Sequence, residues 1–222
     1  MKLINNRYQQ FFDFDKNPCN LLVVENSKEY FKVLKELHNE INGKEDSDFM
    51  LSDNGKTLKL SKVALFIYEF LDLDINNKKI ANEICRRVAE ILTEKDYSED
   101  FCKINQLLIK INDDLIQNFD FVVNYDSDMD FEKFIKLSNY QISEEASLLE
   151  KLSSYIKIFI TLKKCSLVIF AGLFELLSKE EIDLLIKQLA YNEIKCLFVE
   201  PTLKYNVDNL GKIIIDKDLC EI

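Results

Sequence analysis

Short apolar runs alternate along the chain with longer stretches in which apolar residues recur every three or four positions. Residues 21–25 form an apolar, β-branched run, which predicts a strand. The residues after it predict an amphipathic helix, because apolar side chains follow at helical spacing: Tyr30, Phe31, Leu34 and Leu37. The chain therefore begins its regular structure with a strand and a helix.

The next segment predicts a β-hairpin. Residues 49–60 contain two alternating stretches on either side of Asp53-Asn54-Gly55, and a short Asn-Gly turn is the strongest local signal for a hairpin. Residues 63–73 are apolar enough to predict a buried strand.

Helical spacing dominates the middle of the chain. The predicted helices cover residues 77–93, 98–119, 130–137 and 146–162. In the last third, strands are expected at 166–171, 195–199 and 212–215. A helix at 178–191 lies between the first two of these strands, and Ser178 with Glu181 forms a capping-box pattern at its start. Alternating strands and helices favour an α/β fold with a parallel sheet, and the middle helices are expected to form a lobe.

Composition favours a compact globular protein and argues against secreted, membrane-spanning and zinc-binding classes. The 222 residues are 47% hydrophobic and carry a net charge of -10, as expected for a compact globular protein. The first residues lack the apolar stretch of a signal peptide, and no apolar run approaches the roughly 18 residues of a membrane span, so we expect a cytoplasmic protein. The six cysteines lack C-x-x-C pairs, and we expect buried thiols rather than a zinc site.

Candidate catalytic motifs are incomplete. Gly55-Lys56-Thr57 resembles the end of a phosphate loop, but Met50 stands where that motif needs glycine, and a strand is expected to follow in place of a helix. A β-turn is the better interpretation. His38, the single histidine, lies in the polar half of a helix and is expected at the surface, which disfavours Ser-His or Cys-His catalysis.

An acidic stretch leaves two interpretations open. Seven acidic residues and no lysine or arginine occur between residues 113 and 132. The spacing of Asp126, Asp128 and Asp130 starts like a calcium loop, but Phe131 replaces its glycine and Leu137 its final glutamate, so this is not an EF-hand. The carboxylates either remain solvated or bind a hard cation through oxygen.

Basic residues cluster despite the acidic total. Residues 54–87 contain seven basic and four acidic residues, a local charge of +3. A basic face would bind nucleic-acid phosphates without reading sequence, whereas solvated helix and hairpin faces are the plain alternative.

Three segments carry a family resemblance: LLVVENSKEYFKVL, FMLSDNGKTLKLSKVALFIYEFLDLDINNKKI and SLVIFAGLFELLSKEEIDLLIKQLAYNEIKCLFVEP. In their order and spacing the chain resembles the small type II-A CRISPR-associated adaptation (spacer acquisition) protein. The resemblance implies an α/β head with a mostly parallel wound sheet related to P-loop-type folds, without a working nucleotide site, and an inserted α-helical leg. On this basis the head covers 1–75 and 143–222, and the leg 76–142.

The resemblance also implies a function. Members of the family are non-enzymatic and form a homotetrameric ring that binds double-stranded DNA ends without reading sequence. The ring is stabilised by a calcium ion and acts in spacer acquisition with the CRISPR adaptation nucleases and the effector nuclease. A protein-interaction scaffold for those nucleases is the alternative, and a divergent NTPase is a weaker one.

Site residues follow where the patterns match. Lys56 and Lys59 match a K-T-x-K hairpin and are the first candidates for phosphate contacts. Charge alone adds further DNA-binding candidates: Lys62, Lys78, Lys79, Arg86 and Arg87. The acidic segment before and after Tyr125-Asp126 supplies the candidate calcium ligands: Asp120, Asn124, Asp126, Asp128 and Asp130.

Overall fold

The computed structural model describes residues 1–8, 10–44, 47–126, 128–142, 147–163, 165–208 and 210–222. The chain divides into two compact units, one of Met1–Leu73 with Glu144–Ile222 and one of Asp74–Ser143. The strands all lie in the first unit and are β1 (Lys2–Asn5), β2 (Gln10–Asp13), β3 (Cys19–Val24), β4 (Phe49–Asp53), β5 (Lys56–Leu58), β6 (Ala64–Ile67), β7 (Leu167–Ala171), β8 (Lys195–Glu200) and β9 (Gly211–Ile215). The helices are α1 (Ser27–Ile41), α2 (Leu60–Val63), α3 (Lys78–Glu94), α4 (Ser98–Ile116), α5 (Phe131–Ser138), α6 (Leu148–Lys163) and α7 (Lys179–Tyr191).

A five-stranded parallel sheet forms the centre of the first unit, with the strand order β6-β7-β8-β3-β9. Its central strands β3, β7 and β8 are mostly apolar because both of their faces are covered. Phe170 and Phe198 point into a core that includes residues of α6 and α7, whereas Ile169 and Leu197 point into a core that includes residues of α1. The predicted α/β fold with a parallel sheet is confirmed.

A four-stranded antiparallel sheet, in the order β2-β1-β4-β5, contributes to the same core as α1. Its first two strands were not predicted, because β1 and β2 are four residues long and lie in a polar sequence. Arg7, two residues after β1, forms ion pairs with Glu29 and Glu36 of α1 and with Asp48, which precedes β4. Tyr8 donates a hydrogen bond of 2.7 Å to Glu29 Oε1 in the same network.

One predicted strand is wrong in its extent. Residues 63–73 were expected to be a single buried strand, but β6 covers only Ala64–Ile67 and is preceded by the short helix α2. Phe70 and Leu73 lie in the irregular segment after β6, and their side chains are buried in the core. They are apolar because they are buried, although they do not belong to a strand. The capping box of α7 is confirmed, since Ser178 Oγ accepts from the N–H of Glu181 and Ser178 N–H donates to the Glu181 carboxylate at 2.8 Å.

The second unit is helical and consists of α3, α4 and α5. α3 packs against α5, and Phe101 of α4 meets the rings of Phe131 and Phe134 at 4.6 and 5.5 Å. Asn76 exchanges two hydrogen bonds with the backbone of Ile142, of 2.9 and 2.8 Å, which join the two ends of this unit. α4 has no buried residue.

The cysteines are all free thiols, but they are not all buried. Cys19, Cys165 and Cys196 lie in the core and Cys85 is half-buried. Cys102 and Cys220 are exposed, so the prediction of buried thiols is wrong for these two, which lie on α4 and near the end of the described chain. No helix in the described ranges has the length and apolar character needed to span a membrane.

Candidate functional site

The β4–β5 hairpin confirms the predicted turn. Asp53 pairs with Lys56, so the loop consists of Asn54 and Gly55 alone. Both loop residues have positive φ, 49° and 76°, as a type I′ turn requires, and the Asn-Gly sequence supplies residues that adopt this conformation easily. The segment that resembles a phosphate loop is therefore the tip of an antiparallel hairpin.

Three lysines follow the turn at intervals of three residues. Lys56 lies in β5, Lys59 immediately precedes α2, and Lys62 lies within α2. All three are exposed, and none has an ion-pair partner in the part of the chain that the structure describes. Their positive charges are therefore available to a ligand in solution.

The register of the hairpin separates Lys56 from Lys59. Leu58 pairs with the buried Leu51 and packs against the core, and successive side chains of a strand point to opposite faces. Lys56 therefore lies on the face of Leu58, and Thr57 lies on the other. Lys59 continues the extended backbone, with φ -80° and ψ 121°, and so shares the face of Thr57.

An open cavity of about 260 Å³ lies against the hairpin, and residues of both of its faces line it, Leu51 and Leu58 as well as Thr57 and Lys59. Thr57, Lys59 and Ser61 contribute to its lining, together with Glu40 and Lys44 from the end of α1 and the residues after it. Lys56 and Lys62 are not among the described residues that line it. Lys44 and Lys59 therefore line the same cavity, although fifteen positions separate them in the sequence.

Lys44 was missed by the sequence analysis. Gly43 has φ 75° and its N–H donates to Glu40 O at 3.1 Å, while Lys44 N–H donates to Asn39 O at 2.9 Å, so the chain turns back at the end of α1. Gly is common in this position because it adopts positive φ without strain. The Asn42-Gly43 pair after a helical pattern indicates that the chain turns there. It does not indicate that the turn carries Lys44 to the cavity that Lys59 lines.

The other basic candidates lie in the helical unit. Lys78 begins α3 and is exposed, and Lys79 follows it, with a side chain outside the described residues. Arg86 forms ion pairs with Glu83 and Glu90, and Arg87 pairs with Glu90 at 2.8 Å. These carboxylates raise the pKa of both guanidinium groups and neutralise their charge locally. Arg86 and Arg87 are therefore weaker candidates for phosphate contacts than the hairpin lysines.

The acidic segment contains an internal cation. Lys133 Nζ lies 2.6 Å from Asp126 Oδ2 and 2.7 Å from the carbonyl oxygen of Asp128. This ion pair lowers the pKa of Asp126 and raises that of Lys133. Asp130 is the N-cap of α5 and accepts from the N–H of Lys133 at 2.7 Å. Residues 113–132 contain no lysine or arginine, and the next residue, Lys133, contacts Asp126 within this segment.

The candidate calcium ligands do not form a metal-binding group as they are placed. Asp120, Asn124, Asp126, Asp128 and Asp130 are all exposed, and no three Asp, Glu, His or Cys side chains converge on a metal position in the described ranges. The ammonium of Lys133 already occupies oxygens that a hard cation would need. These residues therefore do not fit calcium in this arrangement, and calcium binding stays a prediction.

The carboxyl group of Glu200 is fully buried, unlike those of the acidic segment. Glu200 ends β8 and is 0% exposed, and its Oε1 accepts from the N–H of Phe174 at 3.2 Å. Burial raises its pKa to about 8. His38, expected at the surface, is half-buried and lies edge-on to Tyr68 at 5.7 Å.

Comparison with protein-family models supplies the decisive observation. The model described as CRISPR-associated protein (Cas_Csn2) matches residues 41–219, which include the hairpin, the helical unit and four of the five parallel strands. The chain belongs to this family. It is a type II-A CRISPR adaptation protein family, and the resemblance found from the sequence is confirmed. A comparison with curated proteins gives no match.

Membership of the Cas_Csn2 family changes how the hairpin is interpreted. The match begins within α1 and includes Lys44, Lys56, Lys59 and Lys62, so the exposed lysines belong to the family region of the chain. Nothing in the described residues indicates catalysis, and a role in CRISPR adaptation is supported.

Proposed function

We propose that this protein is a non-enzymatic subunit of a homotetrameric ring that binds double-stranded DNA during CRISPR spacer acquisition. The ring would bind DNA ends without reading sequence and would act beside the adaptation nucleases and the effector nuclease. The family supports the role in adaptation, and the properties of the hairpin support DNA as the ligand.

The observation that carries the proposal is the set of free ammonium groups beside the turn. The chain has a net charge of -10, yet Lys56, Lys59 and Lys62 are exposed and have no ion-pair partner in the described residues. Lysine contacts with phosphates release condensed counterions and give affinity that does not depend on base sequence. An acidic remainder limits binding of DNA elsewhere on the surface.

Self-assembly is supported by α4. Leu107, Ile111 and Leu115 repeat every four residues and are 60%, 54% and 56% exposed. A helix normally buries such a stripe, so this one needs an apolar partner. In a ring, a few lysines from each subunit become a continuous positive lining, which increases affinity through repeated contacts.

Within this proposal the sheet-containing unit corresponds to the head, related to P-loop-type folds, and the helical unit to the inserted leg. The segment that resembles a phosphate loop is the tip of a β-hairpin, so no nucleotide site is proposed. The NTPase alternative depended on that motif and is not supported by it. Calcium binding stays a prediction beside this proposal, because Lys133 Nζ contacts one carboxylate oxygen of Asp126 and the carbonyl oxygen of Asp128.

A mobility-shift titration against linear and covalently closed duplex DNA, at two salt concentrations, tests the function. We expect linear DNA to be bound, closed DNA to remain free, and binding to weaken at the higher salt concentration. Failure to bind either DNA would contradict the proposal. In that case binding of the adaptation nucleases, measured with the same preparation, would favour a scaffold role through the apolar stripe of α4.

A further inference from the structure

The cavity beside the hairpin contains the donor groups that proteins use for phosphate. Phosphate oxygens are usually contacted by lysine and arginine, by serine and threonine hydroxyls, and by backbone N–H groups. Lys44, Lys59, Thr57 and Ser61 supply two ammonium groups and two hydroxyls around one opening of about 260 Å³. This volume is below the roughly 300–1,000 Å³ of pockets that enclose drug-sized ligands, which suits a small anionic group.

The balance of charge in the cavity also favours an anion. Its charged lining consists of two lysines and Glu40, and neither lysine has an ion-pair partner in the described residues. Glu45 and Asp46 follow Lys44 in the sequence and lie outside the described residues. The two ammonium groups exceed the one described carboxylate, and Glu40 weakens the attraction of the cavity for an anion.

We infer that this cavity is the seat of a backbone phosphate of double-stranded DNA, held by Lys44 and Lys59 with the hydroxyls of Thr57 and Ser61. This inference rests on the proposed function and refines it. Lys56 is not among the described residues that line the cavity and does not share the seat, although the sequence pattern pairs it with Lys59. Lys44 is a DNA-binding residue that the sequence did not indicate.

The test compares single neutral variants in fluorescence anisotropy with a linear duplex between 50 and 200 mM salt. Lys44→Gln and Lys59→Gln each remove one cation from the cavity, and Lys179→Gln, at an exposed lysine at the start of α7, is the matched control. Each lost phosphate contact lowers the slope of log affinity against log salt by about 0.9. We expect that loss from Lys44→Gln and Lys59→Gln, together with weaker binding, and a wild-type slope for Lys179→Gln.

A fourth variant gives an effect of opposite sign. Glu40→Gln removes the described carboxylate from the cavity, so tighter DNA binding than in the wild type is expected. Circular dichroism and the mass of the assembly, measured for every variant, show whether a loss of affinity comes from misfolding or dissociation.

The outcomes separate the two levels of the proposal. If the wild type binds DNA and Lys44→Gln keeps the wild-type slope, or Lys179→Gln loses as much as Lys59→Gln, the phosphate seat is wrong and DNA binding stands. If the wild type does not bind duplex DNA at all, the proposed function fails and the seat fails with it.

Discussion

The two units of this protein use their apolar residues differently. In the sheet-containing unit, β3 and β7 are buried along their whole length and β8 at every position after Lys195, and Phe198 and Phe170 stack with a centroid separation of 5.4 Å. In the helical unit, α4 buries none of its nineteen residues and presents a leucine–isoleucine stripe to solvent. The first unit contains a large hydrophobic core, whereas α4 of the second unit leaves an apolar face exposed.

The largest expected effect comes from the core of the first unit. Phe198→Ala removes a ring that is 0% exposed and contacts both Phe170 and Phe174. Such truncations cost about 3–5 kcal/mol in unfolding free energy, because they lose buried area and leave a cavity. Urea unfolding followed by circular dichroism measures the loss. Ile111→Ala in α4 is the comparison, with a loss below about 1 kcal/mol in the dissociated chain, and equal losses would contradict the difference between the units.

The buried carboxyl group of Glu200 predicts a pH dependence. Its pKa is about 8 in the folded protein because of burial, against an ordinary value of 4.5. The folded state therefore binds this proton more tightly than the unfolded state between these values. The unfolding free energy is expected to fall as pH rises from about 4.5 to about 8, by at most about 1.4 kcal/mol per pH unit.

Glu200→Gln tests that dependence, because an amide keeps the shape without the titration. Unfolding measured at pH 6, 7 and 8 should show a flatter pH profile for the variant than for the wild type. Glu180→Gln, an exposed glutamate in the first turn of α7, is the matched control and should keep the wild-type profile. Parallel profiles for wild type and Glu200→Gln would show that another group titrates.

A smaller effect on stability, but a clear one on assembly, is expected from α4. Replacing Leu107, Ile111 and Leu115 by serine removes the apolar stripe from a surface that is already exposed. We expect light scattering after size exclusion to give a lower mass for the triple variant, with little change in helix content. Leu71→Ser, at a leucine that is 95% exposed in the other unit, is the control and should keep the wild-type mass. An unchanged mass for the triple variant would remove α4 from the assembly interface.

The smallest effect is local to the acidic segment. Lys133→Met removes the ammonium that joins Asp126 to the carbonyl of Asp128, so faster amide hydrogen exchange is expected in residues 126–130. Calcium should not alter this exchange in the wild type, because the lysine occupies the oxygens. Protection of the wild-type segment by calcium that is absent from Asp126→Asn would mean that Asp126 binds the ion, and would overturn this interpretation.

Sequence patterns predicted most of the parallel sheet because each buried strand is a continuous apolar run between helical patterns. They failed for β1 and β2, which are only four residues long and show no alternation, and they extended β6 to residue 73 because Phe70 and Leu73 are apolar and buried outside a strand. Local chemistry was predictable where it depends on neighbours in the chain, as in the Asn54-Gly55 turn and the Ser178 capping box.

The candidate site was predictable only in part, because contacts between distant residues leave no local pattern. The sequence indicated Lys56 and Lys59 together, but only the strand register shows that they face opposite ways. Lys44 reaches the same cavity as Lys59 through the turn at Gly43. Lys133 stands just after the acidic stretch, and its contact with Asp126 depends on how α5 folds back.

The most direct test of the central claim is the affinity of linear duplex DNA for the wild type and for the charge-reversed variant Lys56→Glu with Lys59→Glu. The mass of each assembly is measured in parallel. The account predicts salt-sensitive binding by the wild type, loss of binding by the variant and an unchanged mass. Equal affinity for the two proteins would contradict the claim that the hairpin lysines bind the DNA backbone.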